Sequence, residues 1–334
     1  MIDQAPREAR WVRAEPRRTL PEYLVDRIVQ TAFPRSRAVG IQPLTEGWRN
    51  ANFKLHVEGK AEPIVLRIYE HDASICQKEV DLMRFVRGSV PVPEVIHVEA
   101  RGWDDIPPFV LMRCVDGISL RDLKKSGDPS AMAQAAASAG EILAAIGRKT
   151  FSKPGWLAPG PSVTCPLLEG KDPIPRYIDL CLESAHLQPR LPAELRERAH
   201  SLIWSWAPQI ADLDGARCLV HGDYGKRNLL VRNVEGRWVV VGVLDWEFAV
   251  SGSPLADIGH FLRYERNSRP LMEPYFSEAY LRAGGTLPKN WRQLARLIDF
   301  TNICASLTYE DLFDEVVVEL AGLVAATIEN RDPP

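Results

Sequence analysis

The clearest alternation of apolar and polar positions runs over Ala51–Val57. Phe53, Leu55 and Val57 fall on one side, and Asn52, Lys54 and His56 on the other. A period of two is that of a half-buried strand. Apolar runs at 39–44, 63–69, 95–98 and 109–115 complete a predicted five-stranded antiparallel sheet. The segment 71–88 switches to the helical period, with Ile75, Leu82, Met83 and Val86 as its stripe. A shorter helix is expected over 21–33, with Leu24, Ile28 and Val29 on one side. After the turn signal Asp116-Gly117 the pattern becomes mainly helical: 119–125, an alanine-rich 129–148, 177–185, 192–210, 255–264, 270–284, 291–307 and 309–329. This order predicts an α+β chain. Its N-terminal lobe covers 1–115, with 1–19 an arginine-rich solvated arm, and a helical C-terminal lobe covers 116–334. Residues 149–175 carry Pro and Gly throughout and are too long for an ordinary connector, so they read as a packed surface loop or a lid.

Candidate chemistry concentrates in His221 to Glu247, HGDYGKRNLLVRNVEGRWVVVGVLDWE. Two polar clusters, His221/Asp223/Asn228 and Asp245/Glu247, each follow an apolar, β-rich run, with a hairpin between them. Taken singly, Asp223 and Asn228 could be turn formers and His221 a core histidine. Together their spacing suits phosphoryl transfer, which needs one carboxylate at the acceptor hydroxyl. It also needs a carboxylate and an amide to hold magnesium against nucleotide phosphates. Upstream, Arg67 is the one cation on an apolar strand, and a charge there needs a partner. Glu79, beside the stripe of the following helix, is the chosen partner. An exposed edge arginine and a solvated glutamate are the plainer alternatives.

The His-Gly-Asp, the asparagine five residues later and the Leu-Asp-Trp-Glu after one hairpin resemble the aminoglycoside phosphotransferase family. That family includes choline-type small-molecule kinases and shares the protein-kinase fold. The resemblance implies a two-lobe kinase-like chain that transfers phosphate from ATP (GTP not excluded), with Mg2+, to a hydroxyl of a small molecule. It implies that Asp223 acts on the hydroxyl and that Asn228 and Asp245 hold metal. Arg67, braced by Glu79, would steady the nucleotide, under a loop containing Gly47 and Asn50. The hinge around Met112 and Cys114 would meet the adenine. His221 and Asp257 would anchor the Asp223 loop, and His260 would be packing. Arginine stands where protein kinases have lysine, and it can hold phosphate bidentately. Glu247 and an acidic group at Glu310, Asp311 and Asp314, read as one helix face, are candidates for a cationic substrate or simply solvated.

An aminoglycoside-type antibiotic is the first expected acceptor, which would make the protein a resistance factor. A choline, homoserine or sugar-type metabolite is the rival. A catalytically silent pseudokinase and a metallohydrolase built on His221, Asp223, Asp245 and His260 are the readings from other classes. A protein substrate is disfavoured, because no Ala-Pro-Glu signature follows Asp245.

Composition trims the rest. A net charge of −3 gives no electrostatic case for nucleic acid. Six cysteines without a CxxC pair suggest free thiols in a reducing compartment. No apolar run approaches the ~20 residues of a membrane span, and no signal-peptide core opens the chain. The expectation is a cytoplasmic monomer or homodimer.

Overall fold

Alternation builds the first sheet. The computed structural model describes residues 18–44, 50–103, 105–265 and 268–329. Helix α1 (Glu22–Ala32) precedes strands β1 (Ala38–Leu44), β2 (Ala51–Val57) and β3 (Ile64–Ile68). Helix α2 (Ser74–Val86) and strands β4 (Val95–Glu99) and β5 (Phe109–Arg113) follow. The strands pair antiparallel in the order β1-β2-β3-β5-β4. Side chains on successive residues point to opposite faces, so the two faces acquire different cores. Phe53, Leu55, Leu66, Ile68, Phe109 and Leu111 pack under α1 with Leu24, Val25, Ile28 and Val29. Val110 and Met112 face the other way, into the core shared with Val80 and Met83 of α2 and with the helical half. Arg67, between Leu66 and Ile68, therefore lies on the α2 face.

The second half begins with β6 (Ile118–Ser119), α3 (Leu120–Lys125) and α4 (Pro129–Gly147). Helix α4 starts sharply. Asp128 accepts hydrogen bonds from the Ser130 and Ala131 amides, and Pro129 occupies the first helical position. Next come β7 (Gly155–Ala158), β8 (Ser162–Cys165), α5 (Pro173–Leu182), α6 (Ala193–Ser205) and α7 (Ala207–Ala211). Strands β9 (Cys218–Val220), β10 (Leu229–Val234), β11 (Arg237–Val243) and β12 (Val250–Gly252) surround the motif region. Helices α8 (Leu255–Leu262), α9 (Tyr275–Arg282), α10 (Trp291–Ser306) and α11 (Asp314–Ile328) complete the described chain. Two small sheets support the motif, β11-β10-β6 and β8-β7-β12-β9.

Three expectations change. The segment 149–175 is no bare loop: β7 and β8 form a hairpin that extends the β12-β9 pair. The single helix expected over 192–210 breaks at Trp206, because Pro208 cannot continue the amide ladder. The last helix starts at Asp314, where Asp314 and Glu315 suit the positive end of its dipole. Glu310 and Asp311 lie in the turn before it, so the acidic group is not one helix face. Among the described residues, no helix is long and apolar enough to cross a membrane.

Candidate active site

Strand β9 delivers the chain to His221 at the edge of the core, and residues 221–228 form a braced loop. Asp257, in the first turn of α8 and fully buried, accepts the His221 amide at 2.7 Å and the Gly222 amide at 2.9 Å. Burial pushes the Asp257 carboxyl up, against His221 and the two amides, which favour its charge. Gly222 has φ +84°, and a Cβ there would lie 2.4 Å from the Phe248 carbonyl oxygen, so glycine is required. His221 is engaged at both ring nitrogens. Its Nε2 sits 2.9 Å from the Leu244 carbonyl, and Nδ1 accepts the Asp223 amide at 3.2 Å. The ring meets the buried Trp246 edge-on at 4.7 Å. Tyr224 donates to the Ala139 carbonyl at 2.8 Å and so pins the loop to α4.

The Asp223 carboxylate is about one-third exposed and held at both oxygens. Asn228 Nδ2 donates to Oδ2 at 2.8 Å and to the Asp223 carbonyl at 3.0 Å. His260 Nε2, from α8, lies 3.0 Å from Oδ1. Burial alone would raise this carboxyl, but the hydrogen bonds from His260 and Asn228 and the nearness of His221 hold it below the usual carboxylate range. Leu244 then ties the second polar cluster to the first: its amide donates to the Asn228 carbonyl at 2.8 Å.

Asp245 takes φ +66°, the left-handed region that a non-glycine residue seldom enters. Backbone strain of this kind clusters at sites where geometry serves function. Its Oδ1 accepts from Arg67 Nη2 at 2.6 Å. Arg67 also has Glu79 Oε2 3.2 Å from its Nε, an ion pair whose angle is too poor for a hydrogen bond, and Glu247 Oε2 3.7 Å from Nη2. Burial alone would lower the Arg67 pKa, but these carboxylates raise it well above its ordinary value, so the guanidinium stays charged. Glu79 reaches further: it accepts the Tyr69 hydroxyl and, at 3.0 Å, the Trp246 amide. Lys78 Nζ donates to the Glu247 carbonyl at 2.9 Å, so neighbouring residues of α2 clamp the segment after Asp245.

The predicted residues thus fall into several places. Asp223, Asn228, His221 and Asp257 meet at one loop. Arg67, Glu79, Asp245 and Glu247 share one charge cluster, and Asn50 joins it by donating to Glu247 Oε2 at 3.0 Å. Glu247, expected near a substrate, is buried in that cluster. Gly47 lies outside the described residues. Met112 is buried on the α2 face of β5, and the Cys114 amide donates to the Pro63 carbonyl at 3.3 Å. Glu310 is exposed, and its carbonyl accepts from Arg190 in the 3-10 turn Gln188–Arg190. His260, expected as packing, instead contacts Asp223. The sequence signal for it is its place one helical turn after Asp257, on the same face of α8.

Asp245 and Asn228 offer oxygen donors, the ligand type of hard cations such as magnesium. Around Arg67 three carboxylates meet one guanidinium, leaving negative charge that such a cation would balance. The residues present fit a magnesium ion. They do not fit a transition-metal hydrolase centre, because both nitrogens of His221 and both of His260 are already engaged.

Sheet, helix, braced loop and helical remainder together make a protein-kinase-like α+β fold. The chain belongs to the phosphotransferase enzyme family, whose model matches residues 40–313. It resembles aminoglycoside phosphotransferase APH(4)-Ia, solved with AMP-PNP and hygromycin B, at 20% identity. The TM-score is 0.66, covering 93% of this chain and 99% of that one. It also resembles APH(2")-IIia, solved with GDP and kanamycin, at 19% identity and TM-score 0.65, covering 92% and 98%. At these identities the likeness is one of fold. Among curated proteins, acyl-CoA dehydrogenase family member 11 of Rattus norvegicus is 34% identical over 101 residues. The match takes in 25% of this chain and spans 13% of that protein's length.

Proposed function

We propose that the protein transfers the terminal phosphoryl group of ATP or GTP to a hydroxyl of a small molecule. Family membership supports the reaction class, and the joining of two polar clusters carries the site. Asp223, held by Asn228, is tied through the Leu244–Asn228 backbone bond to the segment bearing Asp245, and through it to Arg67. In this reading Asp223 accepts or orients the acceptor proton, help typically worth about 10²–10⁴-fold. Asn228, with its amide nitrogen turned to Asp223, has Oδ1 for a cation, and Asp245 supplies the second oxygen ligand. A bound magnesium ion would neutralise phosphate charge. Arg67 contributes a fixed cation to the nucleotide, and Glu79 and Tyr69 keep it in place. His221 and Asp257 anchor the loop.

An aminoglycoside acceptor has the support of the fold relatives, which were solved with hygromycin B and kanamycin. A choline, homoserine or sugar-type hydroxyl is the rival acceptor. Release of ADP and GDP, measured with Mg2+ over panels of aminoglycosides and of hydroxylated metabolites, separates the two. Turnover with one class and its loss in Asp223→Ala is the expected result. Absence of nucleoside diphosphate with every compound would favour a silent nucleotide-binding protein.

A further inference from the structure

The mechanism above gives the Asp223 carboxylate one partner, Asn228, on Oδ2. Its other oxygen, Oδ1, meets His260 Nε2 at 3.0 Å across the turn from the loop to α8. The imidazole is itself oriented from behind: Arg263 Nη2 lies 3.1 Å from Nδ1. Arginine carries donors only, so Nδ1 must accept, and the proton of a neutral ring resides on Nε2, facing Asp223. Arg263 is fixed in turn by two bonds to the buried Asp299 of α10, Nη2–Oδ1 at 2.6 Å and Nε–Oδ2 at 2.7 Å. Asp299 Oδ1 stands 3.8 Å from Nδ1, too far to compete with the guanidinium. The loop leaves room for this ring. A Cβ on Gly225 would lie 2.9 Å from His260 Nε2 and 3.2 Å from its Cδ2.

We propose that His260 is a positioning residue: as the Nε2–H tautomer, set by Arg263 and Asp299, it donates to Asp223 Oδ1 and fixes which lone pairs face the acceptor hydroxyl. With Oδ2 held by Asn228, the carboxylate cannot rotate about its Cβ–Cγ bond without breaking a hydrogen bond. The role rests on Asp223 being the group that meets the acceptor.

Two measurements on the full chain test it. Long-range proton–nitrogen spectra of 15N-labelled protein, with the His260 signals assigned by their loss in His260→Gln, should show the proton on Nε2 and none on Nδ1. Asp223→Ala should move the Nε2 signal. An Nδ1–H tautomer, or a signal indifferent to Asp223→Ala, overturns the proposal. ADP release from Mg-ATP, with water as acceptor, gives the kinetic arm. His260→Ala should slow release roughly tenfold to a hundredfold at unchanged nucleotide affinity, and His260→Gln, which keeps an N–H donor, should recover part of the loss. Gly225→Ala should slow the parent protein similarly and add little in the His260→Ala background. An unchanged rate in His260→Ala, or additive losses in the pair, contradicts the role. If Asp223→Ala instead retains the parental rate, the assignment of Asp223 fails and not the orientation of His260.

Discussion

Two clusters, far apart along the chain but tied together by the Leu244–Asn228 backbone bond, are built on different principles. Around Asp223 one carboxylate is held by two side chains, Asn228 and His260, while a second carboxylate behind it, Asp257, takes the His221 and Gly222 amides. Around Arg67 the groups are nearly all charged, with Glu79, Asp245 and Glu247 gathered on one guanidinium. Directional hydrogen bonds fix an atom's position, whereas a group of carboxylates in excess about a guanidinium is a place where an added cation is welcome. The first arrangement suits placing a reacting group. The second suits taking up a nucleotide with its cation. Arg67 and Asp245 satisfy each other.

Breaking the charged cluster should have the larger effect on stability. Arg67→Ala leaves buried carboxylates without their cation, and such a loss typically costs about 3–5 kcal/mol. Chemical denaturation should show it, with Arg67→Lys retaining much of the difference. The braced loop should respond less: Asp257→Ala orphans the His221 and Gly222 amides, at about 1–3 kcal/mol. It should also slow turnover while nucleotide affinity, measured by titration, stays within a few-fold. The smallest effect is in pH. The Asp223 carboxyl is lower in the folded protein than in the unfolded chain, so over that interval the unfolded chain binds more protons and stability rises with pH. Its contribution is present above the ordinary carboxylate value and is lost as pH falls through the lower folded value. Partial exposure keeps it modest. Comparing wild type with Asp223→Asn, the difference in stability seen at neutral pH should vanish in acid.

Sequence reading succeeds where the determinant is local. Alternation places Arg67 on the α2 face of one strand, and the five-residue step from Asp223 to Asn228 is set by a single turn of chain. The five-stranded sheet and the helical second half follow from the same kind of periodicity. What escapes it depends on how distant elements meet. His260 reaches Asp223 only because α8 is rotated so that the face carrying Asp257 also presents the next turn to the loop. Strands β7 and β8 are four residues each and lie among prolines and glycines, and β7 pairs with β12, far along the chain. The Cys114 amide and the Glu247 carboxylate look available in the sequence, but their partners, Pro63 and Asn50, are fixed by sheet pairing and by contact across the two halves.

The division of labour between the two clusters is most directly tested by titrating Mg-ATP into Asp223→Ala and Asp245→Ala while following ADP release in the same samples. Asp223→Ala should bind nucleotide close to the wild-type level and release no ADP. Asp245→Ala should lose the magnesium-dependent part of the affinity. Weak binding in Asp223→Ala together with normal magnesium-dependent binding in Asp245→Ala would contradict the assignment.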